Sequence, residues 1–224
     1  MAQTLRKRLK IKVLSKKSVS AIFERPAKAR ALLVLAHGAG AGMEHAFLRD
    51  LAKSLHEEGV ATLRFQFPYM EEGSKRPDSP DIAVAAITAA VEKAGRLAPK
   101  LPLYAGGKSF GGRMTTTAAA RGLLGRVRGI VCFGFPLHPP KRAGMERAKH
   151  LEQVPMPILM IQGTRDDLAD LKLVKQVVRA NRAKIRLHVV EAGDHSFAVL
   201  KSSGRTPADV LTEIAKAARA FIAR

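Results

Sequence analysis

Three residues of this 224-residue chain have the types that nucleophilic acyl chemistry requires, in the order Ser109, Asp166, His195. A serine hydroxyl is a weak nucleophile until a base takes its proton. Histidine suits that task because its ordinary pKa, about 6.5, lets it accept and return a proton near neutrality. A carboxylate on the second ring nitrogen fixes the tautomer and stabilises the imidazolium. Asp166 is preferred to Asp167 because it stands nearer the preceding apolar run, although either could cap the following helix. Asp194, beside His195, is a third acidic candidate and reads better as a turn former. Singly, each residue has a plainer reading: a capping serine, a capping aspartate, a loop histidine.

The surroundings of Ser109 strengthen the chemical reading. An apolar run, Leu101 to Ala105, feeds Gly107-Lys108-Ser109-Phe110-Gly111, and an Ala/Thr-rich stretch follows. Strand, tight corner with serine at its apex, then helix would lift the hydroxyl clear of a sheet edge. A Cβ at 107 or 111 would collide with the adjoining strand or helix, so glycine is required there. The helix start also points free backbone N–H groups at the place where an oxyanion would form. The N–H of Phe110 is one expected donor. The second is the N–H of Ala39, in the glycine-rich loop His37-Gly38-Ala39-Gly40-Ala41-Gly42. That loop is spaced G-x-G-x-G, and Arg64-Phe65-Gln66 follows where a dinucleotide site needs an acidic residue, so a Rossmann cofactor site is discounted. His37 reads as a loop-orienting hydrogen bonder, not a base.

These residues need elements to hold them. Leu5, Leu9, Ile11 and Val13 alternate with Arg6, Arg8, Lys10 and Lys12, which predicts a half-exposed strand with a basic face. Further strands are expected over 18–24, 31–36, 60–65, 101–105, 129–133, 157–161 and 186–190. Helices are expected over 44–58, 80–98, after the serine corner, over 168–180, and from Thr206-Pro207 onward. Strands alternating with helices after residue 30 predict an α/β fold, a mostly parallel sheet with helices on both faces. Serine, carboxylate and imidazole each follow a predicted strand, and sites in such sheets form at the carboxyl ends of strands. The polar segment 67–80 is the expected place for substrate contacts and a small flap. His138 reads as a pocket-wall or loop residue. Lys108, Arg113 and Arg165 stand near enough to select acidic substrates, or else point to solvent.

Composition bounds the answer. The length suits one α/β domain over 1–224, with no repeat, linker or lid insertion. One cysteine, Cys132, lies inside an apolar run; it reads as a core thiol in a reducing, cytoplasmic setting. No apolar run is long enough for a membrane helix, and the basic segment Met1 to Lys10 has no apolar core behind it, so neither a membrane span nor a secretory signal is expected. With 39 Lys+Arg against 19 Asp+Glu the formal charge is +20. Such a charge attracts nucleic acid or acidic ligands. A solvated surface is preferred, because the cations are spread along the chain and few aromatics are present for base stacking. No metal pattern and no cofactor motif are found; the expected partner is a small-molecule substrate, with nucleic acid second.

The motif set LAHGAGAGM (35–43), FPYME (67–71), AGGKSFGGRM (105–114), FGFPLHPP (133–140), QGTRD (162–166) and GDHSF (193–197) resembles the α/β-hydrolase superfamily. The likeness is to its minimal, lidless, dienelactone-hydrolase-like branch, and extends to the hydrolase-like module of a non-specific-lethal chromatin complex subunit and its testis-expressed relative. The resemblance implies Ser109, Asp166 and His195 as a triad. Dienelactone hydrolases proper use a cysteine nucleophile, and position 109 is serine, so dienelactone itself is not the expected substrate. The reading is a serine hydrolase of a small ester, thioester or amide. The chromatin relatives imply the alternative, a non-catalytic binding or scaffold module on the same fold.

Overall fold

The computed structural model describes residues 4–14 and 17–223. Residues 1–3 of the basic N-terminal segment lie outside that range. Eight strands form one sheet: β1 (Leu5–Leu14), β2 (Lys17–Arg25), β3 (Ala31–Ala36), β4 (Val60–Phe65), β5 (Leu103–Lys108), β6 (Ile130–Phe133), β7 (Ile158–Gly163) and β8 (Ile185–Val190). Their order is β1-β2-β4-β3-β5-β6-β7-β8. The β1/β2 and β2/β4 pairs are antiparallel and the other five are parallel. The parallel strands β3 to β7 are buried along their whole length, as expected of mostly apolar strands covered on both faces, with Thr62, Arg64, Lys108 and Gln162 as buried polar exceptions.

The helices divide between the two faces. One layer holds α3 (Pro80–Leu97), α4 (Phe110–Ala120) and α5 (Leu171–Ala180), packed with Leu32, Val34, Ala105, Cys132 and Met160. The other holds α1 (Ala46–Glu57) and α6 (Pro207–Ile222), packed with Leu33, Leu35, Val131, Phe133 and Ile161. Alternate residues of one strand thus feed opposite cores. Ser79 and Thr206 cap α3 and α6, each with proline at the first helical position.

Two expectations need correction. The helix placed at Leu168 begins at Leu171, and its cap is Asp170, whose carboxylate accepts from the N–H groups of Lys172 and Leu173. Residues 166–169 are instead a turn, closed by the Ala169 N–H on the Asp166 carbonyl at 3.1 Å. Segment 67–80 is not a free flap. It contains a short helix, α2 (Pro68–Glu71), with Phe67 and Tyr69 buried; Asp78 accepts from the Tyr69 N–H at 3.1 Å. On β1 the expected basic face is present and exposed, with Arg6 pairing with Glu24 at 3.4 Å, Arg8 with Glu44 at 2.6 Å, and Lys10 with Glu71.

Candidate active site

Ser109 stands between β5 and α4 with φ 51° and ψ −116°, a backbone conformation that costs a side-chain-bearing residue about 1–3 kcal/mol. Neighbouring structure holds it there. The Ser109 N–H donates to the Phe133 carbonyl, and the Ser109 carbonyl accepts from the Arg113 N–H, both at 3.0 Å. The glycines either side are forced by contact. A Cβ on Gly107 would lie 2.4 Å from the Ala36 carbonyl oxygen, and one on Gly111 2.5 Å from the same atom. Strand β3 and the first turn of α4 approach that closely, which lets the corner project the hydroxyl.

The imidazole and carboxylate arrive on two loops joined edge to edge. Asp166 follows β7 and His195 follows β8. The Arg165 N–H donates to the Gly193 carbonyl at 2.9 Å, and the Ala192 N–H to the Thr164 hydroxyl at 2.9 Å. Gly163 permits this seam, since a Cβ there would sit 2.1 Å from the Gly193 oxygen. Asp194 shapes the His195 turn, its Oδ1 accepting from the N–H groups of Ser196 (2.7 Å) and Ala198 (2.9 Å). This is the turn-forming role read from its position.

The three groups meet. Ser109 Oγ lies 2.9 Å from His195 Nε2, and His195 Nδ1 lies 2.8 and 2.9 Å from the two Asp166 oxygens. An ionised carboxylate only accepts, so Nδ1 carries the ring proton and Nε2 is free to accept from the serine hydroxyl. The Asp166 side chain is completely buried. It also accepts from the Leu168 N–H at 2.8 Å and from the Gln162 amide. Of the two aspartates weighed for this place, Asp166 is beneath the ring and Asp167 is exposed. Gln162 carried no signal in sequence beyond ending a strand.

Ser109 and His195 open into a cleft of about 360 Å³, lined also by Gly38, Ala39, Ala41, Phe47, Leu48, Lys108 and Leu168. The Ala39 and Phe110 N–H groups have no hydrogen-bond partner among the described residues. The loop bearing Ala39 is tied down by two side chains. The Gly40 N–H donates to the Tyr69 hydroxyl at 2.9 Å. His37, fully buried, donates from Nδ1 to the Gly38 carbonyl (2.7 Å) and accepts the Phe67 N–H on Nε2 (3.0 Å). Burial lowers the His37 pKa to about 4, so the ring stays neutral. No residue of 67–80 lines the cleft; its wall comes from the start of α1, which the amphipathic pattern marked only as core-facing.

Other candidates lie elsewhere. His138 bridges two loops, Nδ1 to the Pro139 carbonyl and Nε2 accepting from the Asp170 N–H, both at 2.9 Å. Cys132 is buried, and burial raises its thiol pKa to about 12. Arg165 is exposed and bonds the Ala192 carbonyl, and Arg113 lies outside the cleft lining. Among the described residues no cluster of three or more His, Cys, Asp or Glu could hold a metal ion, and no helix is long and apolar enough to cross a membrane.

Residues 29–223 match the alpha/beta hydrolase domain family. The chain belongs to that family. Its fold is shared with solved members at low identity. A dienelactone hydrolase from Anabaena variabilis aligns with a TM-score of 0.73 at 20% identity, covering 97% of this chain and 96% of that one. A serine hydrolase homologue from Coxiella burnetii gives 0.74 at 21%, covering 94% of each chain. A lidless serine hydrolase from Xanthomonas campestris gives 0.71 at 18%, covering 95% of this chain and 91% of that one. In sequence the chain is 32% identical over 177 residues to Mycobacterium tuberculosis proteins provisionally named phosphoribosyl transferases. The match covers 77% of this chain and 38% of theirs, so the chain spans well under half the length of those relatives. Family membership supports hydrolytic chemistry.

Proposed function

We propose that this protein is a serine hydrolase of a small ester, thioester or amide, working through an acyl-enzyme intermediate. The observation that supports it is the unbroken hydrogen-bond chain Ser109–His195–Asp166 at a strained strand-to-helix corner. Ser109 Oγ attacks the substrate carbonyl carbon while His195 Nε2 takes the hydroxyl proton. The buried Asp166 carboxylate stabilises the imidazolium. The carbonyl oxygen becomes an oxyanion that the Ala39 and Phe110 N–H groups bind. The carbon–leaving-group bond then breaks, and Nε2 returns the proton to the departing alcohol, thiol or amine. Water repeats the sequence on the Ser109 ester, releasing the acid and restoring the hydroxyl.

The test is covalent labelling. A fluorophosphonate probe should attach to Ser109 of the folded protein, and Ser109→Ala should abolish labelling. A panel of short 4-nitrophenyl esters should show turnover that falls at least about a thousandfold in the same variant. Folded protein that neither labels nor turns over esters would remove the catalytic reading.

A further inference from the structure

The residue immediately before the serine is a lysine whose ammonium makes no ion pair among the described residues. Lys108 ends β5 and is only 9% exposed, yet it lines the same cleft as Ser109 and His195. Among the described residues its ammonium makes no hydrogen bond and no ion pair within 4.0 Å. The two carboxylates whose charge reaches it are engaged elsewhere: Asp166 by His195, Gln162 and Leu168, and Asp194 by the Ser196 and Ala198 N–H groups. Nζ also lies over the Phe197 ring face, 5.7 Å from the centroid, a weak substitute for an anion. A buried cation without a partner is costly, so such groups are paired or lose their proton. Desolvation accordingly pulls the Lys108 pKa down to about 8, against the opposing pull of Asp166 and Asp194, which leaves the amine mainly protonated at neutral pH.

The backbone makes room for this ammonium beside the reacting groups. Gly134 has φ 66°, and a Cβ there would lie 3.1 Å from Lys108 Nζ and 3.6 Å from His195 Cε1. The amine therefore sits against the bare backbone of Gly134, which also borders His195. Apolar Phe47, Leu48 and Leu168 also line the cleft. Beside these apolar side chains the lining holds the polar His45, Ser109, His195 and Ser196, and Lys108 is its one ammonium, which suits the cleft to fixing the orientation of a ligand through one charged contact.

We infer that Lys108 is a specificity residue that pairs with an anionic group of the substrate, so that the enzyme takes carboxylate-bearing esters or thioesters. The inference rests on the hydrolase reading above for the reaction, but not for the anion contact itself. The substrate carboxylate supplies the missing partner of the ammonium, and the charge-assisted bond holds the scissile carbonyl over Ser109.

The experiment pairs esters that differ only in charge. In one arm the acyl chain carries it: mono(4-nitrophenyl) adipate against 4-nitrophenyl methyl adipate. In the other the leaving group does: 4-acetoxybenzoate against 4-acetoxybenzamide. In at least one arm the wild-type kcat/KM should favour the anion by roughly ten- to a hundredfold, the worth of one hydrogen bond to a charged group. Lys108→Met, which keeps the apolar stem, should abolish that ratio, and Lys108→Arg should recover part of it. Equal rates for both members of each pair, or a preference that survives in Lys108→Met, would overturn the inference while leaving the hydrolase reading intact. Should no ester turn over and Ser109 not label, calorimetry with adipate decides the anion site alone. Adipate binding that is lost in Lys108→Met sustains it, and equal or no binding in both proteins refutes it.

Discussion

Asp166 Oδ2 lies 2.8 Å from His195 Nδ1, and three donors surround that one carboxylate: the imidazole, the Gln162 amide and the Leu168 N–H. All three point inward at a group that can only accept. The arrangement is matched to an ionised aspartate and to nothing else of the same shape.

Asp166→Asn is the sharpest use of that match. However its amide is turned, an NH2 group faces a donor. Where that NH2 faces Nδ1, the ring must carry its proton on Nε2, which blocks acceptance from Ser109. The expected result is a fall in kcat of about a thousand- to ten-thousandfold on whichever ester the enzyme takes, with the fold preserved by circular dichroism. A loss below tenfold would show that the carboxylate does not set the tautomer.

Gly107→Ala and Gly111→Ala should destabilise the whole domain. In each, the added methyl meets the Ala36 carbonyl oxygen, which belongs to a central strand and cannot step aside. A cost of about 1–3 kcal/mol, or failure to fold, is expected from urea unfolding. Gly125→Ala is the control: no heavy atom lies within 4 Å of its added Cβ, so a change within about 0.5 kcal/mol is expected.

Tyr69→Phe deletes the acceptor of the Gly40 N–H and nothing that lines the cleft. The loop carrying Ala39 should loosen, and with it one of the two proposed oxyanion donors. A kcat about tenfold lower with KM within about twofold is expected, because such donors act mainly on the transition state. A change confined to KM would argue against that placement of Ala39.

Stability should fall in mild acid. Burial holds the native His37 and His150 near a pKa of about 4, and lowers His56 as well. The unfolded chain protonates these rings near pH 6.5. Between roughly pH 6.5 and 4 the unfolded state therefore binds protons that the native state refuses. Stability is full above that window and drops as pH falls through it, by at most about 1.4 kcal/mol per pH unit for each such ring. Urea midpoints at pH 7.0, 5.5 and 4.5 should descend, and His37→Gln should shallow the slope. A flat profile would mean that these rings are protonated in the native state.

Much of the site could be read from residue order. The corner at Ser109 announces itself because steric contact leaves only glycine at 107 and 111, and such constraints are local. The cap of α5 was misplaced for the converse reason. Asp166, Asp167 and Asp170 are all competent caps, and the first is withdrawn from capping by an imidazole that follows β8. Segment 67–80 looked mobile because it is polar, but the buried Phe67 and Tyr69 rings anchor it beneath the glycine-rich loop.

The sequence alone determined the alternation of strands and helices, the parallel core and the glycine-flanked corner at Ser109, since periodicity and steric exclusion act within a few residues. Only the tertiary structure decided which aspartate meets His195, that Gln162 braces it, that α1 walls the cleft, and that Lys108 finds no counter-ion among the described residues. Those outcomes depend on which loops lie edge to edge at one end of the sheet. Hydrogen bonding and desolvation act through space over a few ångströms, between residues that the chain itself keeps far apart.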